Sequence, residues 1–268
     1  KQIKGKNFEI RTHQSSAALK WQKNKFKGIF KHATGSGKTV ASINAATEVF
    51  SQLENNNLAL IVSVPLRNLV LQWEKELKQF NWKPIKCYLK KHTWEEKLEN
   101  SINDFNNNII NDLCIVVTNN TMSTSETFKN LVDKIDTNKM MFIGDECHRH
   151  ATEIIQNSIP DSKYILGLSA TPFHYLDENR RNITANIYEK SVHEYTLQDG
   201  IKEGVLSPFE YNYVVVSLTE SEMDKYKEET EKAMKFYDSK KKKFKEGAKP
   251  HLGARSKIIQ SCSNKIPE

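Results

Sequence analysis

The stretch His32-Ala33-Thr34-Gly35-Ser36-Gly37-Lys38-Thr39 packs two glycines, a lysine and a terminal hydroxyl into one short turn. Glycines let the backbone curl so that several N–H groups face one anion. The apolar run Gly28-Ile29-Phe30 precedes the turn, and a helical pattern from Val40 to Phe50 follows it. A helix start adds partial positive charge at that point. In this context Lys38 suits the outer phosphates of a nucleotide and Thr39 suits their Mg²⁺. The strict phosphate-loop pattern opens with glycine where His32 stands, so only the GSGKT portion is intact.

Two further groups could do chemistry. Asp145-Glu146-Cys147-His148 follows the apolar run Met140 to Ile143. Carboxylates at a strand's end lie where open α/β sheets bind ligands. Asp145 is the candidate for Mg²⁺, and Glu146 for orienting and deprotonating a water. A metal site on Cys147, His148 and His150 is the competing reading, although zinc wants about four ligands, usually in spaced pairs. Ser169-Ala170-Thr171-Pro172 follows the next apolar run, 24 residues after Asp145. Alone it reads as an ordinary turn.

Such groups need a rigid support. Leu58–Val64, Leu113–Val117, Met140–Ile143 and Tyr164–Leu168 are short apolar runs, and helical patterns separate them. That alternation predicts a mostly parallel sheet with helices on both faces. Leu66, Leu69, Val70, Trp73, Leu77 and Phe80 predict one amphipathic helix, which Pro84 should stop. Trp94 to Phe105 predicts another. Trp73, Trp82, Cys87 and Cys114 are assigned to the core. Val214-Val215-Val216, with Tyr211 and Tyr213 before it, predicts a later strand.

The last fifty residues differ. Thr219-Glu220-Ser221-Glu222 is a capping box. Met223, Tyr226, Ala233, Tyr237 and Phe244 then mark a stripe on a charged helix, about 40 Å long if unbroken to Gly247. Lys240 to Lys243 would lie near its end, and a basic helix would follow from Ala254 to Glu268. The division expected is 1–217 for the sheet domain and 218–268 for a charged helical connector.

Composition narrows the class. The 268 residues carry a net charge of +7, but residues 1–40 hold ten basic side chains against one acidic, so the excess lies there. A basic patch points to a polyanionic partner. The content of 10 Gly and 7 Pro excludes a collagenous chain. No apolar stretch nears the ~18 residues that cross a bilayer. The Lys-rich start has no apolar core of a secretory signal, and the 4 cysteines form no disulfide or zinc pattern. A cytoplasmic setting without membrane contact is expected.

GSGKT, then DECH, then SATP in this order resembles the first RecA-like domain of a superfamily 2 helicase or translocase, of the broad DEAD/DEAH-box class. The resemblance covers about residues 8–217. It implies a P-loop fold that binds ATP and Mg²⁺, with Thr34, Gly35, Ser36, Gly37, Lys38 and Thr39 at the phosphates, Thr39 and Asp145 at the metal, and Glu146 as base. Ile10-Arg11-Thr12-His13-Gln14 resembles the adenine-side element of the DNA-directed branch, which includes repair helicases and restriction-enzyme motors. It implies that Gln14 reads adenine with Arg11 nearby. Val64-Pro65-Leu66-Arg67 and Thr118-Asn119-Asn120 resemble the elements that contact a nucleic-acid backbone, which implies such roles for Pro65, Arg67, Thr118 and Asn119. Helix caps or polar loops are the plain alternatives. His148, Ser169 and Thr171 would couple nucleotide state to that grip. Tyr195–Leu197 through Gly204–Pro208 resembles the end of this domain in restriction-type helicases.

In such motors a second RecA-like domain supplies arginine fingers, and no motif for one follows here. The expectation is an N-terminal piece of a DNA-dependent motor, double-stranded DNA favoured, weak or inactive alone. A nuclease, methyltransferase or repair partner on the missing part or on another chain stays open. So do an RNA helicase, an antiviral duplex sensor, and a P-loop switch without nucleic acid.

Overall fold

The structure, a computed structural model, describes residues 9–174, 177–210, 212, 215–239 and 243–265. The chain divides into two compact units, residues 1–208 and 209–268.

Seven strands form one sheet in the first unit: β1 (Lys27–His32), β2 (Leu58–Val64), β3 (Pro84–Cys87), β4 (Asp112–Thr118), β5 (Met140–Asp145), β6 (Tyr164–Ser169) and β7 (Ser191–Tyr195). Their order is β3-β4-β2-β5-β6-β1-β7. Every neighbouring pair is parallel. A parallel sheet is covered on both faces, so its strands read as unbroken apolar runs. Leu58–Val64 is buried at every position. Its side chains alternate, with Leu58, Leu60, Val62 and Val64 in one core and Ala59 and Ile61 in the other.

Helices α1 (Thr12–Lys23), α2 (Lys38–Gln52) and α3 (Arg67–Gln79) cover the first core. On the other face lie α4 (Glu95–Asn106), α5 (Asn119–Thr124) and α6 (Glu126–Val132). The single turn α7 (Glu153–Gln156) and α8 (Glu178–Tyr188) follow on that face, and α9 (Leu197–Lys202) comes after the last strand.

One sequence expectation is corrected in this unit, and two strands are added to those expected. Helix α3 ends at Gln79 before Pro84 is reached, as the chain turns through Asn81 at φ 62°. Pro84 instead opens β3, at the sheet edge, where its missing N–H costs no ladder bond. Strand β7 was not foreseen, because Ser-Val-His-Glu-Tyr carries no apolar run. Trp73, Trp82, Cys87 and Cys114 are buried as expected. Among the described residues, no helix is long and apolar enough to cross a membrane.

The second unit pairs α10 (Glu220–Met234) with α11 (Lys249–Gln260). The capping box forms: the Thr219 N–H donates to Glu222 Oε2 at 2.9 Å and the Glu222 N–H to Thr219 Oγ1 at 3.4 Å. The long helix does not form. A two-stranded ladder, β8 (Tyr237–Asp238) with β9 (Lys243–Phe244), interrupts it. The spacing of Tyr237 and Phe244 fits two helical turns, but it also fits a cross-strand pair, and their rings meet at 5.0 Å. The basic helix starts at Lys249 rather than Ala254. Of the expected later strand, Tyr211, Tyr213 and Val214 lie outside the described residues, and Val215 and Val216 belong to no strand. Lys240 to Lys242 also lie outside them.

Candidate functional site

Strand order decides which motifs meet. The phosphate loop leaves the C-terminal end of β1, Ser169 ends β6 and Asp145 ends β5, and these three strands are adjacent. Beyond β5 come β2 and β4, whose ends lead to Pro65 and Thr118. All the sequence candidates except Arg11 and Gln14 therefore follow strand ends on one edge.

In the loop, Gly35 and Gly37 take φ of 80° and 87°, the left-handed region that favours glycine. Gly37 caps α2. A Cβ there would come within 2.6 Å of Gln14 Nε2. Ser36 is fully buried, and its Oγ donates to the Ala33 carbonyl at 2.7 Å. Thr34 and Gly35 are exposed, and Thr39 is half-buried. Lys38 Nζ donates to the carbonyls of His32 at 3.1 Å and Ala33 at 3.4 Å. Burial pulls the Lys38 ammonium below its usual range, while the charges of Glu146 and then Asp145 oppose that shift. The lysine and the two carboxylates thus share one electrostatic environment.

His32 does not obstruct the loop. Its ring is fully buried, stacks on Phe30 at 5.4 Å, and meets His193 Nδ1 through Nε2 at 2.9 Å. Only its carbonyl faces Lys38. Burial pulls His32 down to about 3 and His193 to about 4, so both stay neutral and one donates to the other.

The segment from Arg11 to Gln14 braces the loop. Gln14 is buried rather than exposed. Its Oε1 accepts the Arg11 N–H at 3.0 Å, and its Nε2 donates to the Gly37 carbonyl at 3.3 Å. His13 Nε2 donates to the Ser36 carbonyl at 3.1 Å, and its ring stacks on Tyr195 at 3.8 Å. Tyr195 donates to Glu203 at 2.8 Å. The sequence singled out neither His13 nor Glu203 for a role.

Asp145 is held through both oxygens. Oδ1 accepts the Glu146 N–H at 3.0 Å and Oδ2 accepts Trp73 Nε1–H at 2.8 Å. Burial still raises its pKa, against the Trp73 bond. Glu146 takes φ 47° and ψ 53°, an uncommon region for a side chain of its size. Its Oε2 lies 3.4 Å from His148 Nδ1, which lies 3.0 Å from Ser169 Oγ. Ser169 Oγ also accepts the Thr171 N–H at 3.1 Å. Glu146, His148, Ser169 and Thr171 therefore form one connected chain.

The zinc reading fails on geometry. Cys147 is buried against Gly167, His148 turns to Ser169, and His150 turns inward. His150 Nε2 donates to Asn119 Oδ1 at 3.1 Å, and Tyr188 donates to His150 Nδ1 at 2.6 Å. Hard oxygens on Asp145 and Thr39 instead match what Mg²⁺ takes.

Beside this edge lies a groove of about 440 Å³ lined by Pro65, Leu66, Arg67, Leu89, Thr118 and Asn120, among others. Arg67 is exposed at the first turn of α3. Thr118 caps α5, its Oγ1 accepting the Thr121 N–H at 3.2 Å. Asn119 departs from the expectation. Its side chain is buried and accepts from Ser63 Oγ at 2.6 Å as well as from His150, so Asn120 lines the groove in its place.

Residues 7–174 match the family described as type III restriction enzyme, res subunit. The chain is 28% identical over 194 residues to the endonuclease subunit of the type I restriction enzyme SauCOLORF180P of Staphylococcus aureus strain COL, covering 70% of this chain and 20% of that protein. It is equally similar, over 195 residues, to the endonuclease subunit of type I restriction enzyme SsaAORF53P of Staphylococcus saprophyticus, again over 70% and 20%. The chain thus spans about a fifth of the length of these relatives. In fold it matches the ATP-dependent type ISP restriction-modification enzyme LlaBIII bound to DNA, with a TM-score of 0.62 at 15% identity over 76% of this chain and 16% of that one. It also matches the Pyrococcus furiosus Hef helicase domain, with a TM-score of 0.55 at 15% identity over 94% and 52%.

Proposed function

Because the chain belongs to the type III restriction enzyme res-subunit family, we propose that it is the ATP-binding and nucleic-acid-binding domain of a DNA-dependent ATPase motor. One observation carries this reading: a single sheet edge sets Lys38 in the field of Asp145 and Glu146 and places the Arg67 groove beside them.

In this reading Lys38 exchanges the His32 and Ala33 carbonyls for the outer phosphates of ATP. Thr39 and Asp145 would hold Mg²⁺, which when bound would supply charge neutralisation at the phosphates. Gln14 and Arg11 lie on the adenine side. Glu146 accepts the proton of the attacking water, and the chain through His148 to Ser169 and Thr171 carries its state toward the next strand end. Arg67, Thr118 and backbone N–H groups near Asn119 contact phosphates of DNA, with little base selectivity. The DNA-bound LlaBIII and the restriction subunits above favour DNA over RNA as the partner. Residues 218–268 would lead toward a second RecA-like domain supplying arginine fingers, each able to contribute roughly 10³–10⁵ in rate. The setting that fits is cytoplasmic.

The test is ATP hydrolysis by the protein at its full natural length, with duplex DNA, single strands and RNA compared. Stimulation by DNA that is lost in Lys38→Ala supports the reading. Stimulation by RNA alone moves it to an RNA helicase, and indifference to every polyanion reduces it to a nucleotide switch.

A further inference from the structure

We propose that Trp73 is a positioning residue for the metal-binding carboxylate, its indole N–H fixing which face Asp145 turns toward Mg²⁺. The inference rests on reading this edge as an Mg²⁺–ATP site.

Trp73 is 1% exposed, on the apolar face of α3. Packing alone would ask only for a large ring there, which phenylalanine also offers. The indole adds a single donor, and that donor meets Asp145 Oδ2 at 2.8 Å. The Glu146 N–H binds the other oxygen at 3.0 Å. Two donors on two oxygens set the carboxylate's rotation about its own stem, so neither oxygen is free to swap places. Both hydrogen-bond donors are neutral, so neither cancels the negative charge of the carboxylate. A carboxylate has about four lone-pair sites, and the two left over point away from the two donors. Outer contacts of this sort orient metal ligands and tune affinity by about 10–100-fold.

Arg67 in the groove and Trp73 against Asp145 are six positions apart on α3, about 9 Å along one rigid rod. Movement of that helix start on a phosphate backbone reaches the aspartate through one hydrogen bond.

The experiment compares the wild-type protein at full natural length with Trp73→Phe. A fluorescent non-hydrolysable ATP analogue is bound at increasing Mg²⁺ and followed by anisotropy. The expected result is unchanged affinity without Mg²⁺ and a half-saturating Mg²⁺ concentration raised about 10-fold or more. In turnover, KM for Mg²⁺ should move while kcat at saturating Mg²⁺ recovers. In an Asp145→Asn background the same change should have no further effect on the Mg²⁺ dependence. Wild-type Mg²⁺ dependence in Trp73→Phe, or an equal loss in both backgrounds, would overturn the proposal. If the phenylalanine variant fails to fold, Trp73→benzothienylalanine keeps the shape and replaces N–H by sulfur, with the same two outcomes. Failure of the wild-type protein to bind the analogue, or Mg²⁺-independent binding, would instead remove the ATP-site reading itself.

Discussion

The end of the sheet formed by β5, β6 and β1 and the end formed by β2 and β4 solve different problems. At the first, Asp145, Ser169 and Lys38 are buried or half-buried and each has a named partner: Asp145 has Trp73 and Glu146, Ser169 has His148 and Thr171, and Lys38 has two carbonyls. At the second, Arg67 and Asn120 are exposed on helix starts. A buried polar group left without its partner loses much free energy, so the first end should respond to single substitutions in an all-or-none way. An exposed cation acts through screened charge, so the second should respond in small, additive steps.

The largest effect expected lies at the buried end. Lys38→Ala and Glu146→Gln should each lower phosphate release by about 10²-fold or more, in the range seen when one charge-stabilising group is lost. Glu146→Gln should retain nucleotide binding, and normal turnover there would remove the base assignment. Next comes Gly144→Ala. An added Cβ would overlap the Tyr188 hydroxyl and lie 2.8 Å from His150 Cε1. Overpacking of this kind costs about 1–3 kcal/mol, readable by denaturant unfolding.

Acid should separate the two ends further. Burial holds His32 and His150 down to about 3 and His193 to about 4, against 6.5 for the unfolded chain. The folded state refuses protons that the unfolded state takes up, so stability is complete above 6.5 and falls as the pH drops toward those values. Between pH 6.5 and 5 the loss is about 2 kcal/mol per fully buried histidine. It should appear as a falling unfolding midpoint, with the same slope in Arg67→Ala. The smallest effect belongs to the groove. Arg67→Ala should weaken binding to all DNA sequences alike and flatten the log–log salt slope by about 0.9.

The parallel sheet was legible in residue type and order. Five of the seven strands were visible as short apolar runs, because a strand buried on both faces has no polar side to disguise it. The edge strands β3 and β7 were not, since edges tolerate proline, histidine and glutamate. Lys38, Asp145 and Glu146 could be picked from motif spacing. Their supports could not. Trp73 shows an apolar face in sequence, and nothing in a helical period says where an indole N–H will point. His13, His150, His193 and Tyr188 matter through partners up to 161 positions away, as His32 and His193 show. In the tail, the spacing of Tyr237 and Phe244 served a helix and a ladder equally, and only packing chose.

The place of β1 in the sheet carries a consequence for synthesis. It lies between β6 and β7, pairing Ile29 with Gly167 on one side and with Ser191 on the other. On the ribosome this strand precedes both its neighbours, which are translated more than a hundred residues later. Until Tyr195 has been made, β1 keeps an open edge, and the loop from Gly35 to Thr39 has no finished sheet to stand on.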